Sequence, residues 1–409
     1  MKVKIIILLV CFASVIQAQK LDSLLVWSAN NHPALKAAYL NYEASLQKVY
    51  GTGFLPEPMF SFGYFVSSPE TRLGPQIASV GLQQMFPWKG TLKAQKSIAV
   101  AQSRIQFERF NLLKIKLFQD VKQVFYEAKY MEEGVQLLTG NVVLLEQVKS
   151  VGLARVESGS GSATDILRLN LKIEEIKTKR STFEIRLKGY VKQLCLLTGK
   201  PDLKLVFKND SDSSVEQNDV ANVDAIESHP MIAMVKEKLA MNDAQKKIIA
   251  QKALPKFGLG VNYVLVNKRT DMNPVDNGRD VFMPKLTMSL PIYRKRYKTL
   301  SRMNQLENES IQEEVKGVAL DLKTKLVVVR TKIESAQERL VLYQKQTKTA
   351  QSIFTILQSD YENDATSLES ILATQVQLVS YQLETQRAKK DLRIAKSQLA
   401  FLLNRDINQ

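Results

Sequence analysis

PEPMFSFGYFVSSPETRLGPQIASVGLQQMFP, residues 56–87, alternates apolar with small or polar side chains on either side of a turn-rich tip. Phe60, Phe62, Tyr64 and Val66 interleave with Ser61, Gly63 and Phe65. Beyond Ser67-Ser68-Pro69 and Gly74-Pro75, Ala78, Val80 and Leu82 interleave with Ser79, Gly81 and Gln83. A period of two places each set on one face of a strand. A second copy sets Phe257, Leu259, Val261, Tyr263 and Leu265 against Gly258, Gly260, Asn262 and Val264. A polar loop from Asn267 to Asp280 then leads to Phe282, Leu286, Met288 and Leu290 against Lys285, Thr287 and Ser289. Alternating strands of about ten residues with aromatic ends are the signature of membrane β-barrel strands. A lone hairpin is barely stable in water, and four strands cannot close a barrel. The sequence therefore predicts oligomerisation, with three copies supplying twelve strands.

The two hairpins belong to a repeat that covers the chain. Asn31-His32-Pro33 returns as Ser228-His229-Pro230, Leu55-Pro56 as Leu254-Pro255, and Phe86-Pro87 as Leu290-Pro291. From there the offset holds at 205 residues. Val121, Val124, Ala128, Met131, Val135, Leu138, Val142, Leu145 and Val148 step by threes and fours. Their partners are Leu326, Val329, Ile333, Ala336, Leu340, Tyr343, Thr347, Ala350 and Ile353. Beyond the Gly/Ser break in VESGSGSATDIL (156–167), Ile166, Leu169, Ile173 and Ile176 match Ile371, Thr374, Leu378 and Tyr381. Such stepping is a coiled-coil seam. It predicts two equivalent helical hairpins whose first helix, from about Lys89 to Ala154, spans on the order of 100 Å. The fold class is mainly α with a membrane β part.

The predicted organisation is a signal peptide at 1–18, a first repeat at 19–199, a polar linker at 200–224 and a second repeat at 225–406. The hairpin strands fall at about 57–86 and 256–290, and the helical tips at about 155–165 and 360–370. Met1-Lys2-Val3-Lys4, an apolar run from Ile5 to Ile16 and Gln17-Ala18-Gln19 read as an export signal, too short to span a bilayer. Cys11 follows Val10 rather than the small residue of a lipidation box. That leaves Cys195 as the one mature cysteine, without a disulfide partner and expected to pack among Leu194, Leu196 and Leu197. The net charge of +16 suits nucleic acid or an anionic membrane, and export removes nucleic acid.

His32 and His229 are the only histidines, and both precede a proline at equivalent repeat positions. They read as helix starts rather than metal ligands. No Ser-His-Asp or Cys-His set is available, and Glu132-Glu133, Glu174-Glu175 and Glu313-Glu314 read as solvated helix faces, so no enzyme, cofactor or metal is expected. The thioethers of Met272, Met283 and Met288 suit Cu(I), but their spacing does not bring the three together.

On these features the sequence resembles the TolC-like outer-membrane efflux family over essentially the whole mature chain. The duplicated helix starts carry the resemblance, Asn31-His32-Pro33-Ala34-Leu35 and Ser228-His229-Pro230-Met231-Ile232. So do the Leu-Pro before each strand pair and the strand exits Phe86-Pro87-Trp88 and Leu290-Pro291-Ile292-Tyr293. The family tip pattern Arg-Tyr-x-x-Gly-x-x-Ser-x-x-Asp-Val-Leu finds Arg155, Val156, Gly159, Ser162, Asp165, Ile166 and Leu167.

The resemblance implies a homotrimeric tube, a twelve-stranded outer-membrane barrel continued by a periplasmic α-barrel. It implies a passive exit duct for drugs, metal ions or polypeptides, closable at the helical tips. Its partners are a periplasmic adaptor, an inner-membrane transporter of RND or ABC type, and outer-membrane lipid. The implied docking residues at the tips are Arg155, Gly159, Gly161, Ser162, Asp165, Tyr361, Asp364 and Ser367. Asp165, Asp360, Asp364 and Glu369 are candidates for an acidic entrance ring, although the second tip departs from the pattern: Asp360 stands where Arg is usual, Asp364 where Gly is usual and Ser370 where an acid is usual. The family's Arg–Asp latch therefore does not transfer to it. A basic cluster of Lys89, Lys93, Arg294, Lys295 and Arg296 follows the strands and is expected at the inner-leaflet rim of the barrel. Two readings compete with a duct, a periplasmic coiled-coil scaffold without channel activity and a secreted adhesin-like fibre. The fibre would not need two barrel-like hairpins per chain.

Overall fold

The computed structural model describes residues 21–203, 205, 207, 223–363 and 365–404. The export signal, most of the polar linker and Asp364 lie outside these residues. The element order is α1 (Leu21–Asn31), α2 (Pro33–Tyr50), β1 (Met59–Tyr64), β2 (Gln76–Phe86), α3 (Thr91–Glu157), α4 (Ala163–Thr198), a 3-10 helix (Val223–Ser228), α5 (Pro230–Lys252), β3 (Lys256–Val266), β4 (Val281–Ser289), α6 (Arg294–Glu362) and α7 (Leu368–Leu402). Pro33 and Pro230 open their helices, where a missing N–H costs nothing. His229 caps α5, its Nδ1 accepting from Met231 N at 3.3 Å.

The chain divides into two units, one of 1–36, 113–226 and 323–409, the other of 37–112 and 227–322. The second unit holds the sheet. Its four antiparallel strands run in the order β1-β2-β3-β4, with β1 and β4 at the edges. Pro284 lies in β4, and an edge strand is where proline is tolerated. β1 is shorter than the sequence predicts: it stops at Tyr64, and Val66 lies beyond it in the loop.

Register decides the chemistry of the two faces. Phe62–Val80–Tyr263–Phe282 form one cross-strand row, Phe60–Leu82–Val261–Pro284 the next, and Phe86–Phe257–Met288 the last. Most of this face is exposed, with Phe60 at 69%, Phe62 at 66%, Phe282 at 65% and Leu286 at 71%. The opposite face carries Ser61–Gly81–Asn262–Met283 and Gln83–Gly260–Lys285. It is crowded: a Cβ at Gly81 would meet Asn262 Oδ1 and Ser61 Oγ at 2.5 Å, and one at Gly260 would meet the Leu82 carbonyl at 2.9 Å. At the far end of the strands the two connecting loops hold each other. Gly278 N donates to Leu73 O at 2.7 Å, Asn267 N to Pro75 O at 2.8 Å, and Arg269 Nη1 to Thr71 O at 3.2 Å. Arg269 also forks onto Asp271 and holds that carboxyl down to about 2.

In the same unit α2 packs on α3 through Tyr39–Phe110 and Tyr42–Phe107, with ring centroids 5.7 and 5.3 Å apart. Asn304 donates to the Asn242 carbonyl at 3.2 Å and ties α6 to α5.

The first unit is a helical bundle. The α3 seam is buried from Val121 to Val148, Val135 being half-buried. It packs with Leu169, Ile173 and Ile176 of α4, Ala350 and Phe354 of α6, and Ile371 and Leu378 of α7. Two predicted seam residues are displaced. Ile353 is 45% exposed and Phe354 is buried, because α6 keeps alternating by fours and threes through Phe354, Leu357 and Tyr361, whereas α3 takes two successive threes at Leu145–Val148–Val151. Thr374 yields to Gln375, fully buried and donating through Nε2 to Asn141 Oδ1. Asn141 Nδ2 reaches the Leu137 carbonyl at 2.7 Å. Cys195 is half-buried rather than enclosed.

At the start of this unit Asn31 Nδ2 donates to Thr198 O at 3.0 Å and closes the end of α4, where Gly199 turns left-handed at φ 66°. Lys200 Nζ sits 3.6 Å from the Trp27 ring centroid.

Two glycines of α3 predict opposite responses. A Cβ at Gly134 would lie 2.5 Å from the Phe183 ring, whereas one at Gly140 meets nothing within 4 Å. Gly134→Ala should destabilise the protein by ~1–3 kcal/mol through overpacking, and Gly140→Ala should stabilise it by up to ~1 kcal/mol. Thermal unfolding of the two variants side by side checks both signs.

Candidate functional site

The helical tips gather most of the residues that the sequence singles out. After α3 the backbone N–H groups of Ser160 and Gly161 both donate to Arg155 O at 2.9 Å. Gly159 takes φ 79°, a conformation open to glycine at little cost. Gly161 is needed for space: a Cβ there would lie 2.8 Å from Val156 N and 2.9 Å from the Arg155 carbonyl carbon. Ser162 caps α4, accepting from Thr164 N at 3.2 Å, and Asp165 stands in the first turn near the positive helix end.

The second tip reverses without glycine. Ala365 N donates to Asp360 O at 2.8 Å and closes the end of α6. Ser367 is at the N-cap of α7, but its hydroxyl pairs with Ser370 Oγ at 3.2 Å instead of the backbone. Glu369 pairs with Arg168 across the hairpins at 3.7 Å. Both side chains are well exposed, so the pair contributes little.

The tips are joined by Arg155 and Tyr361. Arg155 Nη1 donates to the Tyr361 carbonyl at 2.7 Å, and the guanidinium carbon lies 4.4 Å from the Tyr361 ring centroid. Tyr361 is only 5% exposed. Room for its hydroxyl comes from α3: a Cβ at Gly152 would approach Tyr361 Oη to 3.4 Å and Ile166 Cδ1 to 3.1 Å. Burial pushes the Tyr361 phenol above its ordinary value; the Arg155 charge opposes this and the Asp165 charge adds to it. Arg155, Tyr361 and Asp165 thus converge. The surface facing outward consists of Gly159, Ser162, Ser367 and their neighbours, while Tyr361 faces the core. Sequence reasoning missed Gly152 and the Asn141–Gln375 pair; polar residues adjoining a regular seam were the available signal.

The basic cluster lies in the other unit. Lys89, Lys93, Arg294, Lys295 and Arg296 are all exposed at the helix-side end of the sheet. Met288 sits on the apolar face beside Phe257, Met283 on the polar face beside Asn262, and Met272 in the loop, so the thioethers are not gathered. Among the described residues no group of three or more His, Cys, Asp or Glu side chains is placed to hold a metal ion. Nor is any described helix long and apolar enough to cross a membrane.

Comparison with known proteins gives one family and one fold. A search of curated proteins returns no match. The outer-membrane channel MtrE of Neisseria gonorrhoeae, in its open state, is similar with a TM-score of 0.76 at 14% identity, over 94% of this chain and 88% of that one. VceC, an outer membrane protein of Vibrio cholerae, gives 0.75 at 12% identity, over 94% and 95%. The CmeC outer membrane channel of Campylobacter jejuni gives 0.72 at 13%, over 94% and 85%. At such identities the likeness speaks for the fold. Residues 222–405 match the family model described as outer membrane efflux protein. That match takes in the second repeat, and the first has the same order of elements; the chain is similar to the TolC-like outer-membrane efflux protein family.

Proposed function

We propose that this chain is the passive exit duct of a tripartite efflux or secretion system, sited in the outer membrane with a large periplasmic part. Three copies close a twelve-stranded barrel, and their paired helices form a helical tube. The observation that carries this reading is the sheet, which has two open edges and a continuous, exposed apolar face. A soluble monomer rarely exposes an apolar patch beyond a few hundred Å², whereas a barrel wall places that face in lipid and joins the edges to their neighbours. The crowded polar face then lines the lumen. Energy comes from an inner-membrane transporter of RND or ABC type, and a periplasmic adaptor docks on the tips at the exposed Gly159, Ser162 and Ser367 and the half-buried Gly161.

The entrance is closable at the tips. Arg155 and Tyr361 bolt the two hairpins of one protomer, and Asp165, Asp360 and Glu369, tripled by symmetry, give the mouth a cation-attracting ring. A bolt made of one charge-assisted hydrogen bond and one cation–π contact is worth ~1–3 kcal/mol.

Purified from outer-membrane fractions, the protein is expected to run as a heat-resistant trimer and to conduct ions in planar bilayers. A soluble periplasmic species without conductance would favour the scaffold reading instead. In the same recordings Arg155→Ala should raise the open probability by roughly tenfold, the equivalent of about 1.4 kcal/mol. Asp165→Asn with Asp360→Asn should weaken block by divalent cations. Unchanged gating and block would remove these residues from the entrance.

A further inference from the structure

Cations and acids are distributed unevenly around the sheet. Segments 43–108 and 243–307 contain the strands and the chain that enters and leaves them. Taken without a break, they hold nineteen Lys and Arg against nine carboxylates, while the whole chain has 57 against 41. The loop end of the sheet neutralises its own cations: Arg269 pairs with Asp271 and Arg279 with Asp276. The helix end does not. Arg294, Lys295, Arg296 and Lys298 on α6, with Lys89 and Lys93 at the start of α3, are exposed, and among the described residues none of the six makes an ion pair. Lys252 and Lys256, flanking the start of β3, add exposed charge without acids.

These charges also stand where a helix disfavours them. The positive end of a helix stabilises acids, yet the first turns of α3 and α6 contain none. The arrangement is stabilising when anions come from outside. Between the apolar face and the cations lies a band of exposed amphipathic and apolar residues, Trp88, Leu290, Ile292 and Tyr293, of the kind that settles at a membrane–water interface.

We propose that this end of the sheet is a binding surface for anionic phospholipid headgroups, made by Lys89, Lys93, Arg294, Lys295, Arg296 and Lys298. The inference rests on the reading of the sheet as a barrel wall and adds to it a lipid selectivity confined to the leaflet on the helix side. The surface holds the barrel at a fixed depth, because the apolar face ends where the cations begin. A basic residue near an anionic surface contributes about 1 kcal/mol, or roughly fivefold in partition.

The test is flotation of the full-length protein with vesicles of phosphatidylcholine alone or of phosphatidylcholine with phosphatidylglycerol, at low and high salt. The wild type should insert into both, with at least about tenfold preference for the anionic vesicles at low salt. The quadruple variant R294Q/K295Q/R296Q/K298Q should insert into phosphatidylcholine as before and lose most of that preference. The charge-keeping R294K/R296K should retain it, as should K179Q/K188Q/K192Q, which removes like charge from α4 in the other unit. Insertion without any lipid preference, a preference that survives in the quadruple variant, or equal loss in K179Q/K188Q/K192Q would each overturn the anchoring surface while leaving the barrel intact. Failure of the wild type to float with either vesicle would overturn the barrel reading as well.

Discussion

The hydrophobic face of the four-stranded sheet is the feature on which everything else depends. Rows such as Phe62–Val80–Tyr263–Phe282 run unbroken across all four strands, and no described helix covers them. Burial of that face would stabilise the chain further, and water cannot supply it. The edges impose a second demand, since β1 and β4 each present unpaired backbone groups. A lipid environment answers the first and copies of the same sheet answer the second. The glycines on the polar face fit this account, because the inner wall of a curved sheet leaves little room for side chains.

The helices face a milder version of the same problem. A seam that steps by threes and fours along α3 buries a narrow stripe and leaves the flanks to solvent or to neighbours. Within the described bundle the stripe is interrupted by Gln375 and Asn141, joined by a hydrogen bond from Gln375 Nε2 that leaves the buried Gln375 Oε1 without a partner. A buried polar pair of this kind fixes register. It sits between two repeats that are equivalent in sequence offset but not in detail. One tip turns on Gly159 and Gly161, and the other tucks Tyr361 beneath Arg155. Duplication supplied two similar hairpins whose tips differ in how they turn.

Much of this was legible in the sequence because it depends on periodicity. The alternation at Phe60–Tyr64 and Phe257–Leu265 placed the strands, and the spacing from Val121 to Val148 placed the seam. Positions where periodicity is ambiguous by one residue were not legible. Ile353 and Phe354 are both apolar, and the choice between them depends on whether the helix takes a step of three or four. Thr374 was preferred to Gln375 because a fully buried glutamine makes sense only beside Asn141, more than two hundred positions away. Tyr361 reads as a tip residue from its place in the chain; that it faces inward depends on Gly152, whose missing side chain makes the space. Charge was legible in composition, but its lopsidedness between the two ends of the sheet emerged only when Arg269 and Arg279 were found paired.

The central claim, that this sheet is one third of a closed barrel, is tested most directly by joining its edges. With Cys195 replaced by Ser, single cysteines placed along β1 and β4, such as Ser61→Cys with Met283→Cys, would be bridged by a short bifunctional maleimide in native membranes. Closure by three copies predicts covalent dimers and trimers and nothing larger. A chain that stays monomeric at every pair of edge positions, or a ladder that continues past three, would contradict the account.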